Sequence, residues 1–317
     1  MMKIAIIGIG AMGCLFAAQL HDAADVVMIG HWPEQLTKLQ QDGLTLQELN
    51  GRFTHHSIFA TNSPIDAAPA DLAIVLVKSR QTAQAAQAAQ QLLAPDGVAL
   101  TLQNGLGNLE QLTAVLGPNR ATLGSTSAGA TIIKPGLVRC AGQGVTHIAA
   151  TDTTVHVIQP LVEMLNRKGF AAHLSSEVDS LVWGKLAVNT GINPLTALLR
   201  VPNGFLAENL TARAIMAAAA NETAAVAQAL HITLPYPNAA ERTLEIAQAT
   251  AQNRSSMLQD VLRGAPTEIE AICGAVVENG RLAHIPTPIN QKLLELVKSI
   301  GESPLTVTDL QQVLNHE

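Results

Sequence analysis

Lys3-Ile4-Ala5-Ile6-Ile7-Gly8-Ile9-Gly10-Ala11-Met12-Gly13 is the most informative stretch of this chain for its architecture. A short run of apolar, mostly β-branched residues reads as a buried strand. It breaks on Gly8-x-Gly10-x-x-Gly13, and apolar residues from Ala11 to Leu20 continue with helical spacing. The three glycines serve different steric ends, namely a tight turn, a close backbone approach to a pyrophosphate, and close packing of helix on strand. The first helical amides, at Ala11 and Met12, have no partners within the helix and suit an anion. The motif alone is a weak signal, but at the first strand-to-helix turn it is a strong one for a dinucleotide. Gly8, Gly10, Ala11, Met12 and Gly13 are the candidate cofactor loop.

Outward from this loop, strand-like runs alternate with helical segments. Val26 to Ile29, Leu72 to Val77, Val98 to Leu102 and Ala121 to Gly124 read as further strands. The alternation predicts a parallel, doubly wound α/β sheet of the Rossmann type. Asn50-Gly51, between Leu44–Leu49 and Arg52–Ala60, predicts a hairpin with a type I′ turn. A second hairpin is expected across Val138–Cys140 and Val145–Ala149. Gln81 to Gln91 is rich in Gln and Ala but fits a helix covering the sheet. After about residue 175 the strand signals fade, and segments of helical length run between prolines. The expected organisation is a Rossmann domain over residues 1–174 and an all-helical substrate domain over 175–317.

The 317 residues suffice for two cores. With 48% apolar residues but only 3% aromatics, those cores must be built from Ala, Leu, Ile and Val. The net charge of -6 and the lack of a basic run argue against nucleic acid as a partner. No run approaches the roughly 18 apolar residues of a membrane span. The start reads as a strand rather than a leader, so a soluble cytoplasmic protein is expected. Cys14, Cys140 and Cys273 are far apart and read as reduced, buried thiols. No HExxH, other compact ligand set or GxSxG is present, which disfavours a metal hydrolase or a serine hydrolase. No metal is expected, and the Ala-rich helices leave a homodimer open.

Ligands of open α/β sheets bind beyond the carboxyl ends of the strands. The second strand ends at Ile29-Gly30-His31, with no acid where NAD-binding proteins hold the ribose hydroxyls. An acid would repel a 2′-phosphate, so its absence tilts the choice towards NADP. His31 and Lys78, each following a strand, are the candidate donors, with a solvated loop as the plain alternative for His31. Asn104, in Gln103-Asn104-Gly105 after the next strand, is a candidate for cofactor or substrate, or simply a turn residue.

In the second half, Lys185 and Asn189 lie four apart on one helical face. Asn193, before Pro194, is expected near the end of that helix. Thr267 and Glu270 have the spacing of a capping box, and Glu268 in the first turn would also offset the helix dipole.

Taken together, GIGAMG, QNG, WGKLAVNTGINPLTALLRVPNG, NRSSMLQDV and PTEIEAICGAVV resemble the ketopantoate reductase family, in this order and along nearly the whole chain. The resemblance implies a Rossmann domain and a helical domain, NADPH as cofactor, and a small 2-oxo acid, ketopantoate, as substrate on the route to coenzyme A. It implies that Lys185 is the general acid and that Glu268 anchors the substrate hydroxyl. Asn104, Asn189, Asn193, Asn203 and Ser256 match substrate-binding positions. His31 departs from the family, where a basic residue, usually Arg, is common. Partial burial would lower the Lys185 pKa, and a nearby Glu268 would oppose that shift. A reductase of another 2-oxo or 3-hydroxy acid would use the same Lys and Asn. A non-catalytic NADPH-binding regulatory protein would share the fold.

Overall fold

The computed structural model describes residues 1–315. The chain forms two compact units: Met1–Gln103 with Gly107–Val178, and Asn104–Leu106 with the chain from Asp179 onward.

Among the described residues of the first unit, the strands are β1 (Lys3–Ile7), β2 (Asp25–Ile29), β3 (Leu44–Gln47), β4 (Phe53–His56), β5 (Phe59–Thr61), β6 (Ala70–Val75), β7 (Leu93–Thr101), β8 (Ala121–Thr126), β9 (Gly129–Lys134), β10 (Leu137–Gly142), β11 (Thr146–Ile148) and β12 (Ala172–Leu174). Its helices are α1 (Ala11–Leu20), α2 (Pro33–Asp42), α3 (Thr82–Leu92), α4 (Asn108–Leu116) and α5 (Val155–Arg167). The main sheet has the order β12-β11-β8-β7-β6-β1-β2-β5. It is parallel from β5 to β8, while β11 pairs antiparallel with β8. Alternate side chains of a strand face opposite ways, and the two faces are covered separately. Ile4 and Ile6 join α1 and α5 in one core, while Ala5 and Ile7 join α3 and α4 in another. The Rossmann-type α/β expectation therefore holds, with an antiparallel edge added.

The local pairings differ from expectation in three places. Leu44–Gln47 and Phe53–His56 do form a hairpin, but only Gly51 has positive φ, at +82°, and Asn50 does not. A type I′ turn needs both. The Glu48 amide donates to the Arg52 carbonyl at 2.8 Å, closing a three-residue connection instead. Arg52 to Ala60 is not one strand, because β5 leaves the hairpin to pair with β2. Val138–Cys140 and Val145–Ala149 do not pair with each other: β10 pairs with β9 and β3, and β11 pairs with β8 and β12.

The described part of the second unit is helical, as expected: α6 (Val178–Leu199), α7 (Asn203–Glu208), α8 (Leu210–Ala229), α9 (Ala239–Ala249), α10 (Ser256–Leu262), α11 (Ala275–Ala283), α12 (Pro288–Lys298) and α13 (Val307–Asn315), with a π-helical turn, Glu270–Gly274, running directly into α11. Pro194 does not end α6, which continues to Leu199. A proline inside a helix costs about 3 kcal/mol. Leu195 and Leu198, at 0% and 1% exposure, each contribute about 1.5–3 kcal/mol by burial. Thr196 Oγ1 also donates to the carbonyls of Ile192 and Asn193, at 2.9 and 3.0 Å. Burial outweighs the proline. The expected capping box is not formed either: the π-turn begins without a side-chain cap, and Glu270 pairs with Lys298 Nζ at 2.6 Å.

Candidate active site

The sheet register puts the cofactor candidates of the first unit on one edge. Ile7 lies opposite Ile29 and Val75, and Val75 opposite Thr101. Gly8, His31, Lys78 and Gln103 all follow this row, just beyond the carboxyl ends of parallel strands. Gly8 has φ +126° and a Cβ there would lie 2.7 Å from the Leu76 backbone, while one on Gly13 would lie 1.8 Å from the Gly8 carbonyl oxygen. Gly10 differs, for a Cβ on it meets no atom within 4 Å. The glycines at both ends of the loop are needed by the protein itself, whereas Gly10 faces space. Helix α1 starts there with no side-chain cap and no acid in its first turn. Its first amides and the open side of Gly10 fit a pyrophosphate.

His31 is exposed and Lys78 half-buried at the start of a short 3-10 turn. Gln103, missed in the sequence as a contributor, braces this edge. Its Nε2 donates to the Val77 carbonyl and to Thr82 Oγ1, both at 2.9 Å, and its Oε1 accepts from Thr101 Oγ1 at 2.9 Å. The only hint was its position after β7.

In the second unit, α6 carries Lys185, Asn189 and Asn193 at successive turns of one face, because the helix runs on through Pro194. Asn193 is 5% exposed, while Lys185 and Asn189 are partly exposed. Burial of the ammonium pulls the Lys185 pKa from its ordinary 10.5 down to about 8, and the negative charge of Glu268 opposes the fall. Glu268 is 8% exposed and precedes the π-turn by two residues. Lys185 and Glu268 are thus brought within electrostatic reach from positions 83 residues apart in sequence.

Asn203 starts α7 and is buried; its Nδ2 donates to Thr250 Oγ1 at 2.8 Å. Its Oδ1 is buried without a hydrogen-bond partner. Leaving such an acceptor unpaired costs about 1–3 kcal/mol, and a ligand hydroxyl or amide would satisfy it. Ser256 opens α10, but the cap is its neighbour: Ser255 Oγ accepts from the Leu258 amide at 3.1 Å and lies 2.7 Å from Thr196 Oγ1. That leaves Ser256 half-buried in the first turn, outside the cap. Asn104 lies in this unit, in the short segment Asn104–Leu106. Tyr236 was also missed: its hydroxyl donates to the Gly184 carbonyl, one residue before Lys185, at 2.6 Å. Among the described residues no group of three or more His, Cys, Asp or Glu could hold a metal ion, and no helix is long and apolar enough to cross a membrane.

A Rossmann-type sheet with an open glycine loop, and a helical unit with a half-buried lysine near a buried carboxylate, fit a nicotinamide-dependent oxidoreductase. Residues 4–153 match the family model described as ketopantoate reductase PanE/ApbA, and residues 177–301 match its C-terminal model. The chain belongs to the ketopantoate reductase family. It is 36% identical over 305 residues to the 2-dehydropantoate 2-reductase of Halobacterium salinarum, covering 94% of this chain and 98% of that one. The enzyme of the same name from Vibrio cholerae is 32% identical, with 95% and 99% covered. A PanE/ApbA family ketopantoate reductase from Ralstonia eutropha superposes with a TM-score of 0.86 at 30% identity, covering 98% and 100%. D-mandelate dehydrogenase, solved with NADH and anilino(oxo)acetate, gives 0.86 at 28% identity, covering 94% and 97%.

Proposed function

We propose that this chain reduces ketopantoate to pantoate with NADPH, Lys185 serving as the general acid. The observation that carries this reading is the half-buried Lys185, held near pKa 8 between desolvation and the charge of Glu268. When bound, the dihydronicotinamide supplies the hydride to the ketone carbon. Negative charge then grows on the ketone oxygen, and an ammonium hydrogen-bonded to that oxygen gains most in the transition state. With a pKa near 8, Lys185 is mostly protonated at neutral pH and still gives up its proton readily. Glu268 accepts from the substrate hydroxyl and keeps Lys185 charged. Asn203 Oδ1 offers a ready acceptor, while Asn189, Asn193, Ser256 and Asn104 supply donors to the rest of the oxo acid.

The cofactor loop is Gly8 to Gly13, and Lys78 and His31 would supply positive or donor character to the bound cofactor. Gly30-His31-Trp32, directly after β2, holds no carboxylate to repel a 2′-phosphate, which supports NADPH over NADH. A second reading is kept by the 28% identity to a D-mandelate dehydrogenase, an enzyme of another 2-oxo acid pair. Cofactor oxidation followed by absorbance decides between them. Rapid oxidation of NADPH with ketopantoate supports the first reading. Turnover of aromatic 2-oxo acids with NADH, and none of ketopantoate, replaces it with the second.

A further inference from the structure

The π-turn Glu270–Gly274 begins two residues after Glu268. In a regular α-helix the Ala271 carbonyl would accept from the Ala275 amide. Here the Ala275 amide donates to the Ile272 carbonyl instead. The Ala271 carbonyl takes a donor from far away in sequence, the Leu106 amide, at 3.0 Å. The approach is close enough to require glycine. A Cβ on Gly105 would lie 2.3 Å from the Ala271 oxygen, and Gly105 has φ +80°. π-Turns are rare, and they concentrate at functional sites.

We infer that the Ala271 carbonyl, released by the π-turn, is the anchor that registers Asn104 with Glu268, making Gly105 and Ala271 positioning residues for the reaction. Asn104 is two residues from the donor and Glu268 three residues from the acceptor. One hydrogen bond therefore ties two candidate substrate contacts from distant parts of the chain. Neither a helical Ala271 nor a bulkier residue 105 would hold them so. The inference rests on the proposed oxo acid reduction for its kinetic consequence, but the anchor itself is measurable without it.

Two variants test it. Deleting Ala271 removes the extra residue of the π-turn and lets the helix run regularly, with the face of Glu268 retained. Gly105→Ala pushes the loop off the carbonyl and stands in where the deletion fails to fold. Amide hydrogen exchange is measured at Leu106, alongside melting temperature, kcat, KM and the pH profile. In the parent the Leu106 amide is expected to be protected, and in both variants to exchange freely. kcat/KM for the oxo acid should fall by about tenfold or more, the scale of a small misplacement. The melting temperature of the deletion variant and the alkaline limb set by Lys185 should stay as in the parent. A merely structural lesion would lower the first or move the second. A freely exchanging Leu106 amide in the parent overturns the anchor, as does parental kcat/KM in a variant whose Leu106 is deprotected. An inactive parent with a protected Leu106 sinks the proposed reaction and leaves the anchor to the exchange data.

Discussion

Glu268 restores part of the charge that burial takes from Lys185. Desolvation is the larger effect, so the pKa settles below that of a free lysine, and the carboxylate stops it falling further. On the proposed mechanism, the pair sets the pH at which Lys185 ceases to be an acid.

For oxo acid reduction, kcat/KM should be level below about pH 8 and fall above it, as Lys185 deprotonates. The reverse reaction needs the neutral amine and should rise through the same range. Glu268→Gln removes the influence that raises the pKa, so its alkaline limb should move to lower pH. A limb that stays in place in this variant would detach Glu268 from the titration of Lys185.

Lys185→Ala should lower kcat by about 100-fold or more, the usual scale for a general acid. NADPH affinity, measured by fluorescence titration, should be little changed. Near-parental turnover would remove Lys185 from the chemistry.

Gly10→Ala and Gly13→Ala should fail differently. The Gly10 methyl meets no protein atom within 4 Å, whereas the Gly13 methyl lands 1.8 Å from the Gly8 oxygen. Gly10→Ala is expected to keep the parental melting temperature and weaken NADPH by about tenfold, roughly 1.4 kcal/mol. Gly13→Ala should lower the melting temperature as well. Calorimetry with and without NADPH separates the two.

Stability should fall on mild acidification. His56 Nδ1 lies 2.6 Å from His21 Nε2 across a half-buried contact. Burial and the His21 charge lower the His56 pKa, and burial and His173 lower that of His147. A histidine with a lowered folded pKa is protonated first in the unfolded state. Its contribution is therefore full above the ordinary value of about 6.5 and drains as pH falls below it. Melting temperatures measured from pH 7.5 to 5 should decline, and His56→Asn should flatten part of the decline. An unchanged slope would assign the effect to other groups.

What could be read from the sequence was local. The β1 strand, the glycine loop and α1 form one continuous stretch whose steric demands are met within it, so the Rossmann start was plain. Lys185 and Asn189 were visible as a pair because helical spacing needs no partner. Pairings between distant segments were not visible. Val138–Cys140 and Val145–Ala149 look like a hairpin, yet their partners lie in β3, β8, β9 and β12. Pro194 looked like an end because local propensity says so, and the burial of Leu195 and Leu198 decides otherwise. The electrostatic closeness of Glu268 to Lys185 is likewise a product of tertiary packing. The π-turn has no compositional signature, and Ser255 and Ser256 are chemically identical neighbours that only the cap distinguishes.

Asn104–Leu106 belongs to the second unit although it is flanked on both sides by chain of the first. Cutting the gene between codons 178 and 179 would therefore not yield two complete modules. The downstream fragment would lack three residues that only the upstream one encodes, and its Ala271 carbonyl would lose the Leu106 amide. Exchanging the helical half between relatives carries the same condition. Asn104–Leu106 and the π-turn must come from the same parent, so recombination of this chain is constrained by a seam that does not follow its order.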